Sequence, residues 1–212
     1  REKIEYVRSA GFDYFIAQRF NAELAALSPE QFVEQLIVRD LGAKLVVVGY
    51  DWAFGKGREG SPEKLQQLGA RFGFRVVIVE PVVAGGEKIS SSRVRDALGR
   101  GEMEQVASLL LRPYSLMGRV VHGDKRGRTI GFPTANLVPQ RKQLPPRGVY
   151  ATNLIVDGKS LPAVTNIGVR PTFGESTVVV ETHVLAGEHE LYSKLVTVEF
   201  LSRLRDERTF AG

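Results

Sequence analysis

Apolar positions along the first half of the chain recur at two different spacings. Phe32, Val33, Leu36 and Ile37 fall on one helical face. Ser28-Pro29-Glu30-Gln31 opens that helix: serine caps, proline occupies the first turn, and Gln31 can close a capping box. Gly42 ends it. An earlier helix over residues 2–10 ends at Gly11, and residues 14–17 read as a short apolar strand. The unbroken apolar runs at residues 45–48 and 76–79 read as buried parallel strands. Between them Ser61-Pro62 starts a helix with Leu65, Leu68 and Phe72 inward and Gly73 as its stop. Strand-helix-strand units of this length predict a parallel sheet with right-handed crossovers. After Pro113 the pattern changes to short strands with period-two alternation and Gly/Pro turns, at residues 119–122, 149–156, 161–165, 177–185 and 195–200. That pattern predicts a small antiparallel barrel. The expected domains are 1–112 and 113–212.

Composition narrows the classes. A chain of 212 residues, 43% hydrophobic and 25% charged, has the balance of a folded globular protein. No apolar run approaches the roughly 20 residues of a membrane helix. With no cysteine, disulfides and thiolate metal sites are excluded, and a cytoplasmic location is the default. A net charge of +5 favours anionic partners, either phosphorylated small molecules or nucleic acid, or is simply a solvated surface. The chain starts at Arg1 and stops just past a strand-like stretch, so the intact protein is expected to be longer.

Gly55-Lys56-Gly57-Arg58-Glu59-Gly60 matches GxGxxG, with Glu80 about twenty residues further on. A dinucleotide fingerprint needs its first glycine directly after the strand. Here residues 50–54 intervene, which argues against hydride transfer. Ser90-Ser91-Ser92-Arg93-Val94-Arg95 places hydroxyls where a helix begins and an arginine one turn in. Free N–H groups there favour an anion. A plain serine cap fits the same pattern.

In the second half, His122-Gly123-Asp124-Lys125-Arg126-Gly127-Arg128 follows a strand. Its glycines permit close backbone approach and its basic residues supply charge, as a phosphate cradle requires. It is not a P-loop, because the GK[ST] ending is absent. Thr134 and Asn136 alternate with Ala135, so in extended chain both face one side. A hydroxyl and an amide oxygen there suit magnesium, and a turn with a polar edge explains them equally. Glu181 shares a strand face with Val179, His183 and Leu185. It is either an exposed strand glutamate or a partly buried carboxylate, and the latter could serve as a general base.

The string from Gly118 through His122 to Leu137 resembles the riboflavin kinase signature nearly throughout. Residues 49–60 with Ser90–Arg95 resemble the FMN adenylyltransferase module of the bacterial bifunctional riboflavin kinase/FAD synthetase family. The resemblance implies an α/β nucleotidylyltransferase-like (Rossmann-like) partial domain followed by a small antiparallel β-barrel riboflavin kinase domain. It implies that Glu181 is the catalytic base and that Thr134 and Asn136 hold Mg2+. Gly123, Lys125, Gly127 and Arg128 would bind ATP in the kinase, and Asn166, Arg205 and Glu207 the flavin. Ser91, Ser92 and Arg95 would hold ATP phosphates in the adenylyltransferase, with Asp51, Phe54 and Gly55 in the loop near the nucleotide and FMN. Asn166–Phe173 is similar to the family's second flap, and Leu204–Phe210 to its flavin-contacting end. Ser193 stands where the family usually has glycine, and the family's closing helix is missing. Implied substrates are ATP, riboflavin and FMN. The remaining alternative is a basic barrel that binds nucleic acid, which would need exposed aromatics among its basic residues.

The adenylyltransferase family uses an HxGH-like motif after its first strand. All three histidines here, His122, His183 and His189, lie in the second half. The expected outcome is that the purified chain, given FMN and ATP, forms no FAD. Chromatographic detection of FAD would overturn that expectation.

Overall fold

The computed structural model describes residues 2–121, 134–139, 143–172, 175–187 and 189–207. The chain divides into two compact units, Arg1–Lys88 and Ile89–Gly212.

In the first unit, α1 (Glu2–Ser9) is followed by α2 (Ala22–Ala26) and α3 (Pro29–Phe32), which continues as π-helical turns over Val33–Asp40. The capping box at Ser28 and Gln31 is complete in both directions. Strands β1 (Leu45–Gly49) and β2 (Arg75–Val79) pair in parallel, joined through α4 (Pro62–Phe72). Ser61 caps α4 and Gly73 ends it in the left-handed conformation. Val33, Ile37, Val48, Phe54, Leu65, Leu68 and Phe74 form the core of this unit. A short hairpin, β3 (Val83–Ala84) with β4 (Glu87–Lys88), closes it.

Two expectations fail here. Residues 14–17 are not a strand. No strand among the described residues pairs with them, and Tyr14 is 87% exposed. The runs in β1 and β2 are parallel, as predicted, but buried on one face only. Leu45, Val47, Val77 and Val79 are exposed, because the two strands carry helix packing on a single side.

The second unit begins with α5 (Ser91–Arg100) and α6 (Met103–Leu110). Six strands follow: β5 (Tyr114–Val121), β6 (Thr134–Pro139), β7 (Gly148–Val156), β8 (Lys159–Thr172), β9 (Glu175–Val184) and β10 (Leu195–Arg205). They close into a barrel in the order β10-β5-β6-β9-β8-β7, with every adjacent pair antiparallel. The change of pattern at Pro113 marks the passage from helix to strand. Packing, by contrast, groups α5 and α6 with the barrel: Ala97, Leu98, Met103, Val106 and Leu109 share one core with Tyr114, Leu116, Tyr150, Leu154 and Phe200.

Alternation along each strand decides what enters the barrel. On β7, Tyr150, Thr152, Leu154 and Val156 point in. The interior is filled by side chains, as a six-stranded barrel demands. Tyr150 donates to the Pro146 carbonyl at 2.5 Å and packs edge-on against Phe200. Burial pushes its phenol pKa up, so it stays a neutral donor.

Among the described residues the buried polar side chains are Ser115 and three threonines. Thr152, Thr165 and Thr182, at 2%, 0% and 1% exposure, are linked hydroxyl to hydroxyl, each step 2.9 Å. The ladder spans β7, β8 and β9. Thr165→Val removes both links and leaves two buried hydroxyls short of a partner. It should lower stability by about 2–4 kcal/mol, whereas Thr165→Ser should recover most of that. Urea unfolding midpoints of the three proteins check this.

Ser193 adopts φ +63°, the left-handed region that costs a side-chain-bearing residue. Its N–H bonds the Val120 carbonyl at 3.0 Å and its carbonyl accepts from Arg119, so the turn is held in place. This is a physical reason for the glycine that the family resemblance expects there. Ser193→Gly should raise stability by about 1 kcal/mol, read as a higher thermal midpoint.

Candidate functional site

Strand register gathers the predicted kinase residues. β6 and β9 pair with Thr134 opposite His183 and Asn136 opposite Glu181. β9 and β8 pair with Asn166 opposite Glu181. Asn136, Glu181 and Asn166 therefore form one row across three adjacent strands. Their sequence neighbours Ala135, Leu137, Val180, Thr182, Thr165 and Ile167 all point into the core, which puts the row on the outer face. Directly opposite residues in such a sheet have Cα atoms about 4.5–5.5 Å apart. Each of the three is half-buried, so the face is sheltered yet reachable.

Thr134 joins this face two residues along β6 from Asn136. A hydroxyl oxygen, an amide oxygen and a facing carboxylate are hard donors, and hard donors suit Mg2+. Asn136, Glu181 and His183 all have interactions within the fold. Among the described residues no cluster of three or more His, Asp or Glu could hold a metal. A cation here would rely on the threonine–asparagine pair, with its remaining ligands coming from phosphate and water.

Two of the predicted flavin-side residues, Arg205 and Glu207, lie where β10 ends. Arg205 pairs with Val149, is exposed, and donates to the Asp206 carbonyl at 3.0 Å. Glu207 is half-buried and accepts from the Val169 N–H at 3.1 Å, which brings it to β8 just beyond Asn166. The predicted nucleotide-cradle residues Gly123, Lys125, Gly127 and Arg128 lie outside the described residues.

The predicted adenylyltransferase residues divide between the units. In the first, Asp51 is exposed and paired with Lys88 at 3.0 Å, while the Lys88 ammonium sits 4.3 Å from the Tyr50 ring centre. Phe54 is a core residue, stacked on Trp52 at 4.5 Å between ring centres. Gly55 has φ +72°, and a Cβ there would lie 2.7 Å from the Pro29 nitrogen. Phe54 and Gly55 thus shape the loop by packing. The GxGxxG stretch begins six residues after β1 ends, bridges back through Phe54 and Gly60, and turns as a short 3-10 helix at Lys56–Arg58. It does not abut its strand, so the dinucleotide fingerprint is absent.

In the second unit, Ser90 caps α5 by accepting from the Arg93 N–H at 3.2 Å. Ser91 and Ser92 open the helix, and Arg95 donates to the Ser92 hydroxyl at 3.1 Å. Ser92 and Arg95 are exposed, with their polar groups together at the helix start.

Sequence reasoning missed one arrangement and two residues. The Glu181 row depends on register, which a strand pattern does not reveal. Lys88 gave no sign of pairing with Asp51. Gly168, whose missing side chain makes room for Glu207, carried only the general hint that a glycine inside a strand marks a close approach.

Comparison with known proteins matches different families to the two halves of the chain. A riboflavin kinase family model matches residues 110–212, and an FAD synthetase family model matches residues 1–93. The bifunctional riboflavin kinase/FMN adenylyltransferase of Escherichia coli K12 is 43% identical over the whole chain, which covers 68% of that protein. The protein of the same name from Bacillus subtilis is 38% identical, again over the whole chain and 67% of its own length. A Streptococcus pneumoniae crystal structure, named for a macrolide-efflux protein, superposes with a TM-score of 0.88 at 32% identity. It matches the whole of this chain and 68% of that one. With both halves matched in order and the register row in the half matched by the kinase model, the chain belongs to the bifunctional riboflavin kinase/FMN adenylyltransferase family of flavin cofactor biosynthesis.

Proposed function

We propose that the barrel transfers the γ-phosphate of ATP to the ribityl 5′-hydroxyl of riboflavin, giving FMN and ADP. The observation that supports this most directly is the row of Asn136, Glu181 and Asn166 on the outer face, with Thr134 beside it. Glu181 orients the hydroxyl and takes its proton as the oxygen attacks. The flanking asparagines hold amide groups to either side of that carboxylate. Thr134 and Asn136 would hold a magnesium ion, which when bound neutralises charge on the phosphates. Phosphoryl transfer depends mainly on positioning and charge stabilisation, so few side chains suffice. Gly123, Lys125, Gly127 and Arg128 would cradle the nucleotide, and Asn166, Arg205 and Glu207 would place the flavin. In the adenylyltransferase, Ser91, Ser92 and Arg95 would take ATP phosphates, and the loop at Asp51, Phe54 and Gly55 would lie near the nucleotide.

A nucleic-acid platform has no support in the barrel. Its exposed large apolar side chains among the described residues are leucines and valines, such as Val121, Val138, Leu185 and Leu204, with no aromatic to stack a base. No helix among the described residues is long and apolar enough to cross a membrane. The small-molecule substrates and the lack of cysteine favour the cytoplasm as the place of action.

Incubation with riboflavin, ATP and magnesium, followed by separation of FMN, tests the activity. Glu181→Ala should lower kcat at least about 100-fold, the scale of a lost general base, with riboflavin affinity within about threefold of the parent. Near-normal turnover in that variant would refute the role.

A further inference from the structure

The segment that follows β10 is tied to β8 by one side chain. β7 stops pairing with β8 at Gly148 opposite Ile167, whereas β9 accompanies β8 as far as Thr172. Beyond Ile167, the β7-side edge of β8 has no strand partner among the described residues. A sheltered N–H on such an edge needs an acceptor from elsewhere. The Val169 N–H finds one in Glu207 Oε1, at 3.1 Å.

Gly168 shares the outer face with Asn166, yet it is buried. Glu207 lies over it. A Cβ at position 168 would stand 2.4 Å from Glu207 Oε1 and 3.1 Å from Asn166 Nδ2. The absent side chain of Gly168, the amide of Asn166 and the carboxylate of Glu207 therefore meet at one point. Asn166 in turn stands opposite Glu181.

We propose that Glu207 is a positioning residue whose carboxylate latches the end of β10 onto β8, and that Gly168 is the seat of this latch. The latch holds the two flavin-side segments, Asn166–Val169 and Arg205–Glu207, in one arrangement, and so sets riboflavin affinity. The proposal rests on the kinase reading. If Glu207 acts through the bond to Val169, an amide oxygen at 207 serves as well as a carboxylate, and filling the seat undoes the bond without touching Glu207.

Riboflavin binding is measured on the full chain by quenching of flavin fluorescence, without ATP, for the parent, Glu207→Ala, Glu207→Gln, Gly168→Ala and the double Ala variant. Glu207→Ala and Gly168→Ala should each weaken binding about tenfold, the scale of one hydrogen bond to a charged acceptor. The double variant should be no more than about threefold weaker than either single, because the two changes break the same contact. Glu207→Gln should restore affinity to within about threefold of the parent. In turnover, the KM for riboflavin should rise in the two Ala variants while the KM for ATP stays within about twofold. A double variant weakened about 100-fold, as independent effects would give, overturns the latch. So does Glu207→Gln binding as weakly as Glu207→Ala, and that pair decides the matter even if Gly168→Ala fails to fold. A parent that binds no riboflavin overturns the kinase reading itself, and the latch with it.

Discussion

Thr165 is linked to Thr152 on one side and Thr182 on the other, deep inside the barrel. Those two bonds fix β7, β8 and β9 relative to one another. Strand side chains alternate with period two, so a one-residue slip would carry the threonines out and bring Asn166 and Glu181 in. A carboxylate in the apolar interior is far more costly than a hydroxyl. The ladder and the outer row are thus two sides of one register. The polar atoms inside hold the strands in the position that places the polar atoms outside.

The fold was legible where a local rule decides it. Ser28, Gln31, Ser61 and Gly73 mark helix ends, and the structure has helix ends there. The alternation in residues 149–156 and 178–185 reports which side chains enter the barrel. The failures came where a neighbour decides. Residues 14–17 have strand composition but no strand to pair with, and strand propensity without pairing makes no strand. Val47 and Val77 look like core residues, yet they lie on a sheet face that carries no helix. Helix α6 escaped notice because Glu102 at its start makes no side-chain cap bond.

The candidate site was legible residue by residue but not as an arrangement. Thr134, Asn136 and Glu181 stood out by type and alternation. That Asn136 and Asn166 both face Glu181 depends on which residues of three distant strands come level, and no local pattern encodes that. Phe54 shows the opposite case. It lies in a loop that resembles a nucleotide-binding segment, but its ring is part of the core. Asp51 in the same loop is exposed and already paired with Lys88, so a ligand there would meet an ion pair rather than a lone carboxylate.

The strict alternation along β8 and β9 separates two kinds of heritable change. Along β8, Ala163, Thr165 and Ile167 belong to the interior, while Val164 and Asn166 belong to the outer face. Adjacent codons therefore answer to different demands. A substitution at one position alters how tightly the scaffold holds, and its immediate neighbour alters what the outer face presents. Variation on the outer face can accumulate one residue away from positions that tolerate almost none, without endangering the protein's survival as a folded molecule.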